Sequence, residues 1–194
     1  MMRMVVLDGF TSNPGDNPWT ELETLGQVKI YDRTSPDEVL DRIQGAQILL
    51  TNKTVLNRQT IESLPDLKFV AVLATGYNVV DLDACNERGI PVSNVPAYST
   101  DSVAQFTMSL ILELARRTAW HADQAKKGQL SKSPDFCFYH PPQMELTGKV
   151  LGLVGLGTIG KRVGQMAQAL GLDVLVNTRT IRVLPDFSPL AHVS

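Results

Sequence analysis

Apolar positions along the chain fall in short runs, each followed by a polar segment or one of helical spacing. Residues 4–7 form the first run, closed by Asp8-Gly9 and a polar loop through Pro18. Residues 19–25 have a helical pattern that stops at Gly26, and 28–31 read as a second strand. Ser35-Pro36-Asp37-Glu38 is a helix start, with Ser at the cap, Pro at the first helical position and Glu three residues after the cap. That helix carries Val39, Leu40 and Ile43 on one face and ends before Gly45. Strands then follow at 48–50, 67–73 and 90–92, separated by helices near 57–64 and 81–88. Apolar strands alternating with helices predict a parallel sheet covered by helices. Residues 1–97 thus read as a complete α/β domain. Such sheets gather ligands at the carboxyl ends of their strands, where the loops 8–10, 51–54 and 74–78 stand.

After a linker at Asn94-Val95-Pro96-Ala97-Tyr98, Ser102-Val103-Ala104-Gln105 matches a capping box and opens a helix to about Arg117. Val103, Phe106, Met108, Leu110, Ile111, Leu112, Leu114 and Ala115 leave that helix almost without a polar face, which predicts burial between domains or subunits. His121 is read as closing a helix. Residues 128–144 are irregular and carry Phe136, Phe138, Tyr139 and Pro141-Pro142: either an arm packing on a partner subunit or a loop folded over its own domain.

The 150–177 stretch has a different logic. Val150-Leu-Gly-Leu-Val-Gly155-Leu-Gly157-Thr-Ile-Gly160 is a strand followed by a glycine-punctuated turn, and an amphipathic helix to Leu170 and a strand at 173–177 come next. In this context Gly155 permits the tight turn and Gly157 lets a pyrophosphate approach the backbone. Gly160 lets the helix lie close, and the helix N-terminus offers unpaired N–H groups to an anion. Gly155, Gly157, Thr158, Ile159 and Gly160 are therefore the candidate cofactor-binding turn.

Composition narrows the classes. Of 194 residues, 43% are hydrophobic and 20% charged, as in globular proteins, and a net charge of −2 without a basic run argues against nucleic-acid or membrane partners. No signal peptide or membrane span is visible, so a cytoplasmic protein is expected. Cys85 and Cys137 lack metal-ligand spacing and read as free thiols; no metal site is expected.

Ala74-Thr75-Gly76-Tyr77-Asn78-Val79-Val80-Asp81, Asn94-Val95-Pro96-Ala97-Tyr98-Ser99 and Ser102-Val103-Ala104, followed by the glycine turn, resemble the D-2-hydroxyacid dehydrogenase family. Ser133-Pro134-Asp135-Phe136-Cys137 before Glu145-Leu146-x-Gly148-Lys149 is most similar to its glycerate dehydrogenase (hydroxypyruvate reductase) branch. The resemblance implies a flavodoxin-like substrate domain, residues 1–97, lacking its C-terminal return. An incomplete Rossmann NAD(P)-binding domain, residues 98–194, would follow it. It further implies that backbone N–H groups at Thr75 and Gly76 hold a substrate carboxylate, that Asn52 and Lys53 face the substrate, and that Val103 lies against the nicotinamide. By the same analogy the chain is a homodimer through helix 102–117 and arm 128–144, reducing a small 2-keto acid such as hydroxypyruvate or glyoxylate.

Two departures qualify this expectation. NAD-preferring members place a carboxylate at the end of the second Rossmann strand for the ribose hydroxyls. Here that end reads Val176-Asn177-Thr178-Arg179-Thr180, so Thr178, Arg179 and Thr180 favour NADP(H) over NAD(H). The family's catalytic Arg, Glu and His lie downstream of the units present, and His121, His140 and His192 are poor substitutes. The 194-residue chain is therefore expected to be inactive alone. A non-catalytic dinucleotide-binding module, or a truncated product without function, is the alternative. Strands 150–154 and 173–177 are expected to form a ribbon open at both edges, and the tail 181–194 has no clear period.

Overall fold

A computed structural model describes residues 1–139, 141–178 and the backbone of 191–192. The chain divides into two compact units, Met1–Tyr98 and Ser99–Ser194.

The first unit contains β1 (Arg3–Val6), α1 (Thr20–Leu25), β2 (Gln27–Ile30), α2 (Val39–Arg42), β3 (Ile48–Thr51), α3 (Arg58–Glu62), β4 (Phe69–Val72), α4 (Leu82–Glu87) and β5 (Val92–Ser93). All neighbouring strands pair in parallel, in the order β2-β1-β3-β4-β5. The period of two in each strand sends alternate side chains to opposite faces. Val5, Leu7, Leu49, Val70 and Val72 pack with Val39 of α2, Ile43 just after it, Ile61 of α3 and Ala84 of α4. Met4, Val6 and Leu50 face the other way, toward Trp19 and Leu22.

The helix-start signal at Ser35 operates as expected, and two further helices of this unit carry side-chain caps. The Ser35 N–H and hydroxyl both donate to the Glu38 carboxylate, at 3.1 and 2.6 Å. Asn57 and Asp81 cap α3 and α4 by accepting from Thr60 N–H and Ala84 N–H, each at 2.9 Å. The Ser35 start leads through a 3-10 turn, Pro36–Glu38, into α2. Unforeseen in the loop after β1 is a second 3-10 turn, Gly9–Thr11. The last strand falls at Val92–Ser93 instead of 90–92, where pairing with Val70 and Ala71 of β4 sets its register.

The second unit contains α5 (Thr100–Arg116), α6 (Thr118–Lys126), α7 (Gln129–Lys132), β6 (Val150–Val154), α8 (Thr158–Ala169), β7 (Asp173–Asn177) and β8 (Ala191–His192). Three sequence expectations are corrected here. Helix α5 begins at Thr100 with Ser99 at its cap, so Ser102 lies inside it and no capping box forms with Gln105. The earlier start places Asp101 in the first turn, where its charge suits the helix dipole, and it pairs with Arg162 of α8 at 2.6 Å. His121 does not close a helix but sits within α6. Arg117 takes the left-handed conformation at φ +52° and ends α5. The Glu113 carboxylate then accepts from Ala119 N–H at 3.1 Å, which opens α6 at once. No glycine or proline marks this break, so helical periodicity could not reveal it. Within the irregular 128–144 stretch, Gly128 at φ +74° precedes the short helix α7.

The expected two-stranded ribbon is a three-stranded parallel sheet, β6-β7-β8, because Leu175 and Val176 pair with Ala191 and His192. β7 therefore has an outer neighbour, which weak tail periodicity hid. Helices α5 and α8 cover one face of the sheet through Ala104, Met108, Val163 and Ala167 over Val174 and Val176. Val150 and Val154 point away from that core, and Val154 is 92% exposed. A parallel strand normally lies buried on both sides, so this face of β6 is uncovered among the described residues. On α5, Val103, Phe106, Leu110 and Leu114 form an exposed apolar stripe. The all-round apolar pattern of that helix is thus only partly buried within its own unit.

Candidate functional site

In the second unit the site begins where β6 ends. Gly155 adopts φ +92°, a conformation L side chains rarely take, and its N–H donates to Asn177 O at 2.8 Å. That bond ties the turn to the end of β7 and brings Thr178 beside it. A Cβ on Gly160 would stand 2.6 Å from the Gly155 carbonyl oxygen, so only glycine lets α8 begin this close to the turn. A Cβ on Gly157 would meet nothing within 4 Å, which leaves open space over the backbone there. The Leu156 and Gly157 N–H groups donate no hydrogen bond to a described residue. The first N–H groups of α8, from Thr158 and Ile159, have no partner inside the helix. A concave run of donors at a helix N-terminus is an anion cradle, and a dinucleotide pyrophosphate fits the donor set and the space at Gly157. Ile159 and Val103 are each 40% exposed on this unit. At the β7 end no carboxylate is present among Asn177 and Thr178. Arg179 and Thr180 lie outside the described residues.

The first unit presents a second donor cluster. After β4, the consecutive N–H groups of Thr75, Gly76 and Tyr77 donate to no described residue. The turn is nonetheless held in shape. Thr75 Oγ1 donates to Val95 O at 3.0 Å, Asn94 Nδ2 donates to Thr75 O at 2.8 Å, and Val95 N–H donates to Ala74 O at 3.0 Å. Free, adjacent N–H groups on a pinned turn can converge on a carboxylate. β3 is the neighbour of β4, with Thr51 opposite Val72, so the loop of Asn52 and Lys53 shares this edge of the sheet.

That loop is organised by Asp8, a residue the sequence pattern did not single out. Asp8 is 3% exposed. One carboxylate oxygen accepts from Asn52 N–H at 2.8 Å; the other accepts from Thr54 N–H at 2.9 Å and from Lys53 N–H. The Asn52 carboxamide turns back to donate to Thr11 Oγ1 at 2.9 Å, so its side chain braces the loop. The only available signal was position: an ionisable residue directly after a buried apolar run must find donors or stay out of the core.

These features define a parallel α/β protein with, on each unit, a run of backbone N–H donors unpartnered among the described residues, one of these runs at a glycine turn opening a helix. The chain belongs to the D-isomer specific 2-hydroxyacid dehydrogenase family: the family's catalytic-domain model matches residues 6–183. It is 48% identical over 177 residues to a hydroxypyruvate reductase of Blautia hydrogenotrophica, covering 90% of this chain and 55% of that protein. To a glycerate dehydrogenase of Methylorubrum extorquens it is 37% identical over 150 residues, covering 77% and 48% respectively. Among solved structures, D-lactate dehydrogenase from Aquifex aeolicus, complexed with NAD and lactic acid, aligns with a TM-score of 0.73 at 28% identity. That alignment covers 98% of this chain and 55% of the other. The chain thus spans about half the length of the relatives it matches. Among the described residues no group of three or more His, Cys, Asp or Glu side chains is placed to hold a metal, and no helix is long and apolar enough to cross a membrane.

Proposed function

We propose that this chain carries the substrate-binding unit and the first part of the nicotinamide-binding unit of a D-2-hydroxyacid dehydrogenase of the hydroxypyruvate–glycerate type. The observation that carries the reading is the glycine turn, with its left-handed Gly155, open space at Gly157 and sterically required Gly160. Gly155, Gly157, Thr158, Ile159 and Gly160 would cradle the pyrophosphate, with Val103 as an apolar contact for the nicotinamide. Thr178, Arg179 and Thr180, in place of a carboxylate, favour NADP(H) over NAD(H), since a ribose phosphate meets no like charge there. The bound dinucleotide supplies a hydride.

Thr75 and Gly76 N–H groups would hold the carboxylate of a small 2-keto acid, with the Asn52–Lys53 loop as the neighbouring wall. Reduction of a keto group also needs a proton donor for the developing alkoxide and a cation to polarise the carbonyl. In this reading the Arg, Glu and His that serve those roles in the family come from outside these 194 residues, and the chain binds without turning over. Fluorescence titration with NADPH and NADH, followed by a turnover assay with hydroxypyruvate and glyoxylate, tests both parts. Tighter NADPH binding without turnover is expected. Equal or tighter NADH binding overturns the preference, and turnover by the chain alone overturns the claim that it lacks its acid–base set.

The exposed stripe on α5 and the exposed Phe136 and Tyr139 of the arm support the expected homodimer. Sedimentation of the chain and of Phe106→Asp tests it, with a dimer that the substitution dissociates as the expected result.

A further inference from the structure

A crevice of about 440 Å³ opens on the first unit at the carboxyl ends of β1, β2 and β3. Its position has a topological cause. From β1 the chain crosses outward to β2, and from β3 it proceeds the other way to β4, so the loops after β1 and β3 diverge and leave a gap between them. Arg33 and Thr34 from the β2 loop and Lys53 and Thr54 from the β3 loop line this gap, over an apolar wall that includes Val39 and Val55.

The charge balance inside the crevice is uneven. Arg33 and Lys53 are its two cations, and neither side chain forms an ion pair or donates a hydrogen bond among the described residues. The Arg33 guanidinium lies over the Phe10 ring at 4.9 Å, which fixes its plane and leaves its N–H edge unpaired. Neighbouring Arg42 is engaged by contrast. It donates to Glu38 at 2.5 Å, to Arg33 O at 2.5 Å and to Thr34 Oγ1 at 2.8 Å. The one acid in the lining, Asp8, is committed through both oxygens to backbone N–H groups and is buried. No acidic side chain is therefore left to answer the two cations.

Both cation-bearing loops are also held in place. Asp8 straps residues 52–54, while Arg42 donates to Arg33 O and Thr34 Oγ1 donates to Leu7 O at 2.5 Å. Ordered loops, with the Arg33 plane already set by Phe10, lower the loss of freedom on binding an anion over the apolar wall.

We infer that this crevice is a second ligand site, for a small organic anion with an oxyanion head between Arg33 and Lys53 and an apolar body against Val39 and Val55. It is a different place from the turn at Thr75 and Gly76 and does not depend on dinucleotide binding. The dehydrogenase reading shares only Lys53 with it, so Arg33 separates the two.

The test is isothermal titration of the full 194-residue chain with phenyl phosphate, benzoate, inorganic phosphate and neutral benzyl alcohol. Saturable binding of phenyl phosphate or benzoate is expected, the tighter of the two identifying the head group, with inorganic phosphate and benzyl alcohol at least roughly tenfold weaker because each lacks one half of the recognition. Arg33→Ala should weaken binding by about tenfold or more and Arg33→Lys by less, since a lone ammonium keeps the charge but loses the fork. NADPH titration of the same variants reports on the second unit and separates failure of this inference from failure of the dehydrogenase reading. Amide spectra of the variants confirm that the first unit is folded. Absence of saturable binding, binding insensitive to Arg33→Ala in a folded variant, or benzyl alcohol binding as tightly as benzoate each overturns the proposal. Inorganic phosphate binding as tightly as phenyl phosphate overturns the apolar half of the assignment.

Discussion

Asp8 offers the sharpest test of how the substrate-side loop is built. Among the described residues its carboxylate is the only group holding the Asn52 and Lys53 N–H donors, and it also takes the Thr54 N–H. Asp8→Ala removes all three bonds at once. Lys53 is exposed, so its N–H recovers water at small cost. Asn52 and Thr54 are buried, and an unpaired buried donor costs about 1–3 kcal/mol. Two such donors give an expected loss of about 4 kcal/mol, a large share of the roughly 5–15 kcal/mol that holds a domain together. Asp8→Asn is the informative partner. Its one carbonyl oxygen can replace the oxygen that serves Lys53 and Thr54, but the amide then faces the Asn52 N–H. About half the loss should remain, because one buried donor is unpaired instead of two. Urea unfolding followed by Trp19 fluorescence in a Trp120→Phe background reports the first unit alone, since Trp19 packs in its minor core. A loss below about 1 kcal/mol for Asp8→Ala would refute the claim that this carboxylate organises the loop, as would equal losses for the two variants.

Other expectations follow from single contacts. Gly160→Ala places a Cβ 2.6 Å from the Gly155 carbonyl, so the turn must shift; NADPH affinity should fall by about tenfold or more, measured by nucleotide fluorescence. Arg58 donates to both oxygens of Glu87, at 2.6 and 3.0 Å, and holds that carboxyl below its ordinary value. The bridge therefore contributes at neutral pH and is lost as the pH falls through the depressed value; Arg58→Gln should raise the Glu87 titration midpoint seen by NMR. Burial pushes the Cys85 thiol up, whereas Cys137 is exposed. Ellman's reagent should thus label one thiol quickly and the second only in denaturant, and two fast thiols would contradict the packing of α4. Limited proteolysis should leave the first unit intact longer than the second, whose β6 strand has an uncovered face.

The family relation and the crevice bear differently on these tests. The glycine turn and the Thr75–Gly76 turn are backbone sites, so nearby side-chain substitutions that leave the backbone path unchanged, unlike Gly160→Ala, should alter affinity modestly. The crevice depends on two side-chain cations, and a single substitution should abolish most of its binding. That contrast makes the two kinds of site experimentally separable on one protein.

What the sequence determined by itself was whatever local physics controls. Strand positions came from apolar runs, the Ser35 cap from short-range hydrogen bonding, and the glycine turn from backbone freedom at Gly155. Parallel pairing followed from the alternation of strands with helices, since a parallel neighbour needs a crossover. Tertiary structure decided whatever depends on residues far apart in the chain. Asp8 meets residues 52–54 only because β1 and β3 are neighbours, and Arg33 and Lys53 line one crevice only because the loops after β2 and β3 share one edge. In α5 Asp101 of the first turn reaches Arg162 across sixty-one positions, and at the other end Glu113 caps the next helix. Nothing local placed the strand at Ala191–His192 in the sheet, since two residues carry no period; its pairing with β7 does. Periodicity describes one segment at a time; partners are chosen by the fold.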